Sequence, residues 1–256
     1  MKKLILVSLF TAFSLSANAA VIRITEGAFT PAAGLITFSE AGFPLGTTNP
    51  TYTPSDYGGV AGAPTVNFGG WFVGQSAGAA GLCPAGAAIS GCVLGSPTGA
   101  LALDAASPST FTVNDGSNPT SPVLSGTPTF NGPVSILFDV DIAGVGLEGG
   151  FFNAIGGTAI TAYGRDGSLL GSVLNESTGI EFLGLVTGDG LASIAGLQFS
   201  LVGAEPAGFA IDNLRFGLAG QVISVPEVPE PETYAMMMAG LGLMGFMVRR
   251  RKENRV

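Results

Sequence analysis

The chain has 256 residues, no histidine, 10 basic and 18 acidic side chains and a formal net charge of −8. That charge is unevenly spread: residues 21–228 carry 15 acids against Arg23, Arg165 and Arg215, a net of −12, while five of the other seven bases follow Val248. So acidic a body excludes nucleic acid and an anionic membrane surface as partners and is compatible with cation binding.

At the N-terminus, Lys2 and Lys3 precede an uncharged apolar run from Leu4 to Leu15 and then Ala17-Asn18-Ala19. A basic start, an apolar middle and an A-x-A site predict a secretory signal peptide over residues 1–19, removed by signal peptidase to leave Ala20 first. A first core helix would leave the basic start and the A-x-A unexplained.

Residues 20–222 form the predicted body. They are rich in Gly, Thr, Ser, Pro and β-branched residues, and no window holds a 3.6-residue period long enough for a helix, so an all-β fold is expected. Strands are predicted at Leu35–Phe38 and Thr65–Phe68, with "YTPSDYGGVAGAP" a long loop before the second. Trp71 and Phe72 follow in "NFGGWFVGQS". Trp71, with Tyr52 and Tyr57 on the preceding loop, is a candidate for stacking on sugar rings, the alternative for Trp71 being a place in the core. Cys83 and Cys92, in "GLCPAGAAISGC", are expected to pair in an oxidising compartment, because Gly and Pro let the short segment turn back on itself.

"NDGSNPTSPVLSGTP" reads as a second long loop, and a strand follows at Val134–Val140. Asp139 and Asp141 share a face at period two, as an acidic pair or as solvated edge charges. Thr158–Tyr163 and Ser168–Val173 read as a hairpin closed by Gly164-Arg165-Asp166-Gly167. Further strands are predicted at Ile180–Val186 and across "GLQFSLVG", with Leu197, Phe199 and Leu201 inward and Gln198 and Ser200 outward. In "FAIDNLRF", the strand Phe209–Phe216, the apolar register slips between Ile211 and Leu214, so a bulge is predicted at Asp212-Asn213.

Residues 223–232 form a linker holding Pro229-Glu230-Pro231. Thr233 to Val248 are 16 residues without a charge, and Arg249, Arg250, Arg251 and Lys252 open a basic tail over 249–256. At 1.5 Å per residue the apolar stretch reaches about 24 Å, a short transmembrane helix that spans a bilayer only with local thinning. The arginines keep the tail cytoplasmic while the body is carried outward.

Pro229-Glu230-Pro231, the short Gly/Ala/Met-rich span and the terminal basic cluster together resemble the PEP-CTERM sorting signal read by exosortases in Gram-negative bacteria that make exopolysaccharide. The resemblance implies a temporary anchor in the inner membrane, cut near the motif by an exosortase-type membrane protease, and a final place at the cell surface or in the extracellular matrix. The prolines keep residues 229–231 extended and free of helix, which suits presentation to a protease.

The stretches "FFNAIGGTAITAYGRDGSLLGSV", "TGIEFLGL" and "FAIDNLRF" resemble the body of many PEP-CTERM proteins and jelly-roll modules of the carbohydrate-binding type. A jelly-roll-like β-sandwich is the fold this implies. Such modules often hold a structural calcium where the first and last strands meet, which makes Asp212 a candidate ligand and Glu40, after "LITFS", its partner; the alternative is that both are exposed edge acids.

Without histidine there is no Ser-His-Asp or Cys-His relay, no HExxH motif and no histidine-ligated metal. Carboxylate-only glycoside hydrolysis through Glu148, Glu176 or Glu181 remains conceivable, but no motif sets two of them across a cleft. The sequence therefore points to an exported, non-catalytic protein that binds exopolysaccharide or serves as a structural matrix component.

Overall fold

The computed structural model describes residues 21–115, 121–206 and 209–223. The expected signal peptide, the Pro-Glu-Pro motif, the apolar span and the basic tail lie outside the described residues. The strands, in chain order, are β1 (Val21–Arg23), β2 (Gly34–Ile36), β3 (Thr51–Tyr52), β4 (Val66–Gly69), β5 (Gln75–Ala77), β6 (Val93–Gly95), β7 (Phe111–Asn114), β8 (Pro122–Ser125), β9 (Val134–Ile142), β10 (Gly144–Phe152), β11 (Thr158–Tyr163), β12 (Leu169–Leu174), β13 (Gly179–Thr187), β14 (Ile194–Leu201) and β15 (Ala210–Gly217). Helical structure among the described residues is confined to the 3₁₀ turns Glu26–Ala28 and Ile89–Gly91.

Two antiparallel sheets carry the fold. The first has the order β1-β13-β10-β15-β8-β7, with β2 also pairing β15; the second has the order β12-β11-β14-β9-β4-β3; β5 and β6 form a separate ribbon. One apolar cluster joins them, with Val145, Leu147, Leu183, Leu185, Ile211 and Leu214 from the first sheet and Val66, Ile136, Phe138, Ile160, Leu197 and Phe199 from the second. The body is therefore a β-sandwich, its core filled from both inner faces.

Local chemistry explains several element ends. The β11–β12 turn is built as its glycines require: Gly164 N–H donates to Ser168 O at 2.8 Å, and Gly167 sits at φ 83°. Phe38 does not extend the strand at β2, as the sequence reading expects, because it adopts φ 56° and turns a fully buried ring into the core. The Glu40 carboxylate closes that turn, accepting from Thr37 N at 2.6 Å and Thr37 Oγ1 at 2.9 Å. Pro122–Ser125, read as loop, is strand β8.

The whole of β10 escapes the sequence reading, since "GVGLEGGFF" carries four glycines. The reasons are tertiary: a Cβ on Gly146 would stand 2.4 Å from the Phe182 ring of β13, one on Gly149 would stand 2.6 Å from the Phe152 ring, and one on Gly150 would stand 2.7 Å from Gly179 O.

The bulge in β15 is present. Gly146 pairs with Arg215 and Glu148 with Asp212, so one residue of β10 faces two of β15, and Asn213 takes φ 46°. Phe209, Ile211, Leu214 and Phe216 all become core residues as a result. By contrast, β14 does not alternate inside and outside: Gln198 and Ser200 are buried along with their neighbours. The segment from Gly70 to Leu103 lies across the outer face of the second sheet, where Phe72, Leu101, Tyr163 and Ala195 form a second cluster. A Cβ on Gly196 would meet Leu101 at 2.7 Å and Phe72 at 2.9 Å.

Candidate functional site

The disulfide expected from the cysteine spacing is formed between Cys83 and Cys92. It ties off the loop that covers the second sheet. Cys92 bridges Leu201 of β14, and Ala88 N–H donates to Glu205 O at 2.8 Å, so the crosslinked loop is seated on the β14–β15 connection.

Under this cover lies a polar network that the outward reading of Gln198 misses. Gln75 and Gln198 exchange side-chain hydrogen bonds of 2.9 and 2.8 Å, Gln198 Nε2 also donates to Ser135 Oγ at 3.1 Å, and Ser135 Oγ donates to Gly70 O at 3.1 Å. Phe72 N also donates to Gln75 Oε1 at 2.9 Å, so the network ties the cover to β9 and β14.

The proposed stacking residues occupy different places. Tyr52 is fully buried, stacked on Phe43 at 4.0 Å and edge-on to Phe38 and Phe68, so it cannot reach a ligand. Tyr57 is half-buried, with its ring edge-on to Phe216 at 5.2 Å and its hydroxyl donating to Pro64 O. Burial corrects the expectation for Tyr52, while Tyr57 commits its hydroxyl and part of its ring to the packing. Trp71 is half-buried, while its neighbour Phe72 is fully buried against Tyr163.

The acids likewise separate. Asp212 Oδ2 accepts from Ser121 Oγ at 3.0 Å and Oδ1 from Asn213 N at 2.7 Å, while Asn213 Nδ2 donates to Glu148 Oε2 at 2.8 Å. Burial pushes the Asp212 carboxyl up to about 6, and the charges of Glu148 and Asp115 add to the rise against those hydrogen bonds. Glu40, engaged with Thr37, bears instead on Tyr52, whose hydroxyl is held well above its usual range by burial first and Glu40 second. Asp212 and Glu40, the expected calcium pair, thus hold different hydrogen-bond partners, and no group of three or more acidic, cysteine or histidine side chains suited to a metal stands among the described residues. Asp139 accepts from Thr65 N at 2.7 Å and Asp141 from Arg165 at 2.6 and 3.0 Å, so these two act singly.

All three arginines of the described residues are ion-paired: Arg23 with Glu176 and Glu181 at 3.3 Å each, Arg165 with Asp141, and Arg215 with Glu26 at 2.5 Å. Glu181 also accepts from Glu176 N and from Ser177 N and Oγ. Of the conceivable catalytic acids, Glu181 thus anchors the β12–β13 loop, Glu176 pairs with Arg23 and Glu148 accepts from Asn213.

One further acid was not singled out from the sequence. Glu205 is fully buried, and its carboxylate accepts from Asn153 N at 2.9 Å, Asn153 Nδ2 at 2.8 Å and Ala154 N at 3.0 Å. Buried Asn175 continues the connection, receiving Thr158 N–H on Oδ1 and donating to Ala154 O and Ser177 O. A lone Glu amid Gly, Ala and Pro in "VGAEPAG" is the only trace in the sequence.

A family model described as the PEP-CTERM protein-sorting motif matches residues 227–252. The match covers the three-part stretch beginning just before Pro229 and supports an exported protein processed by an exosortase. No curated protein and no solved structure matches the chain.

Proposed function

We propose that this is a non-catalytic, exopolysaccharide-associated surface protein, its body a sandwich of the jelly-roll carbohydrate-binding type, delivered by its C-terminal signal. The observation that carries the reading is the sorting motif at residues 227–252, on a chain with no histidine and with every described arginine ion-paired. The signal peptide brings the body across the inner membrane, residues 233–248 hold it there, and the exosortase releases it toward the surface. The carboxylates have hydrogen-bonding or ion-pairing duties in the fold, which favours binding or scaffolding over glycoside hydrolysis.

Fractionation of the producing cells, with mass spectrometry of both termini, tests the routing. The mature protein is expected at the surface or in the medium, starting at Ala20 and lacking Arg249 to Val256. Co-sedimentation with the cells' own exopolysaccharide tests the association; a protein that stays in the supernatant is a matrix or surface component without polysaccharide affinity.

A further inference from the structure

The two ends of the sandwich differ. The last described residues sit beside the start of β10 and the end of β13: Ile223 N–H donates to Ala28 O, and Val222 lies against Gly144. The chain leaves the described body at that end, and the sorting signal follows in sequence. The other end of β10 lies eight residues away, about 26 Å at strand rise, and there the surface changes character.

At this far end Phe151, Ile155, Leu174 and Ile180 are 51%, 68%, 45% and 53% exposed. Ile155 stands on the β10–β11 loop, and the other three flank that loop and the β12–β13 loop: Phe151 at the end of β10, Leu174 at the end of β12 and Ile180 at the start of β13. Phe152 pairs with Gly179, the Phe151 ring lies over Gly179, and Leu174 lies over Gly156, whose N–H donates to Asn175 O. Exposed Asn153, Glu176, Ser177 and Thr178 alternate with the apolar side chains.

Large apolar groups left so exposed add little folding stability, yet the two loops they flank are braced at depth. Glu205 takes three donors from Asn153 and Ala154, Asn175 ties Ala154 to Ser177, and Ala88 of the disulfide loop holds Glu205 from behind. A fully buried carboxylate is costly to desolvate. Spending one to fix an exposed loop is the arrangement of a preorganised binding surface.

We propose that Phe151, Ile155, Leu174 and Ile180 form the polysaccharide-binding site of this protein and that its ligand is a neutral polysaccharide. This deepens, and rests on, the reading of the protein as exopolysaccharide-associated. The interleaving of apolar groups with hydroxyl, carboxamide and carboxylate groups matches a pyranose, which presents C–H faces between hydroxyls. Charge decides between neutral and acidic chains: residues 21–228 carry −12 and each described arginine is already paired, so a polyuronate meets repulsion with no cation to offset it. Position agrees, since the surface lies at the end of β10 opposite to where the chain leaves the described body at Ile223.

The test uses the exported protein purified from the medium or cell surface, titrated with the cells' own exopolysaccharide, with a neutral β-glucan and with polygalacturonate. Phe151→Ala/Ile180→Ala is compared with Leu191→Ala, a control at the opposite end that is 60% exposed. The double variant is expected to bind the exopolysaccharide or the β-glucan at least about tenfold more weakly, the control is expected to bind as wild type, and polygalacturonate is expected not to bind. Wild type that binds no exopolysaccharide overturns the association itself. Wild type that binds while the double variant binds equally well leaves the association standing and overturns this site. Preference for polygalacturonate overturns the neutral ligand, and a wild-type dimer that the double variant converts to monomer shows the surface to be a self-association face instead.

Discussion

Gln75 and Gln198, 123 positions apart, hold each other through two reciprocal amide hydrogen bonds inside the protein. Gln75 opens the ribbon that covers the second sheet, and Gln198 lies on β14 beneath it. Truncating either partner removes both reciprocal bonds and leaves the other buried amide only partly satisfied, which costs about 1–3 kcal/mol. Gln198→Ala and Gln75→Ala are each expected to lower the unfolding free energy by that amount in urea titrations, with the double variant less destabilised than the sum. Additive losses would show that the pair is uncoupled.

Asp212 predicts a pH dependence. Its carboxyl is raised from 3.8 to about 6, chiefly by burial, so the folded state favours the proton. The sign follows: the stabilisation is fully present below about pH 4 and is lost as pH rises through about 6. Asp212→Asn keeps an acceptor for Asn213 N, turns an amide donor toward the Ser121 hydroxyl, which can accept it, and removes the charge that faces Glu148 and Asp115. It is expected to be more stable than wild type by about 1–2 kcal/mol at pH 7.5, allowing for partial solvent access, with the difference fading below pH 4. A pH-independent difference would locate the effect elsewhere.

Tyr52 is the sharpest correction to the stacking reading, and it gives a stability test. Its hydroxyl is buried with no hydrogen-bond partner, as is Glu40 Oε2. Tyr52→Phe removes an unsatisfied polar group while keeping the ring contacts with Phe38, Phe43 and Phe68. Thermal unfolding is expected to show Tyr52→Phe as stable as wild type or more stable by about 1 kcal/mol. A loss larger than that would mean the hydroxyl has a partner, such as a bridging water.

The Cys83–Cys92 bridge closes a short loop, and its removal as Cys83→Ser/Cys92→Ser is expected to cost about 2–3 kcal/mol through the freed unfolded chain. Hydrogen exchange should rise in the covering segment and in the Glu205 connection, which Ala88 braces, before it rises in the core strands.

Glu230 gives the test of the sorting motif. A plain anchor tolerates change there, because the residue lies outside the apolar span and contributes little to insertion. Glu230→Ala is expected to leave the protein membrane-inserted and trap an uncut form that still carries Arg249 to Val256, detected by mass spectrometry of the membrane fraction.

The sequence by itself determined the address and the class of fold. The sorting motif is a contiguous arrangement of prolines, apolar residues and arginines, and the β11–β12 hairpin and the bulge at Asp212-Asn213 are written in turn chemistry and in a slip of a two-residue period. These are local signals, readable without knowing what packs on what. Tertiary structure alone decided burial on the outer faces. Alternation in "GLQFSLVG" records polarity, and only the segment carrying Gln75, more than 100 positions upstream, turns the polar face of β14 into an interior. The glycines of β10 look like breaks in a strand until Phe182 is set against Gly146 and Phe152 against Gly149. Glu205 looks like a solvated loop acid until Asn153, Ala154 and the disulfide loop close around it, because a charge is buried only where distant backbone donors converge on it.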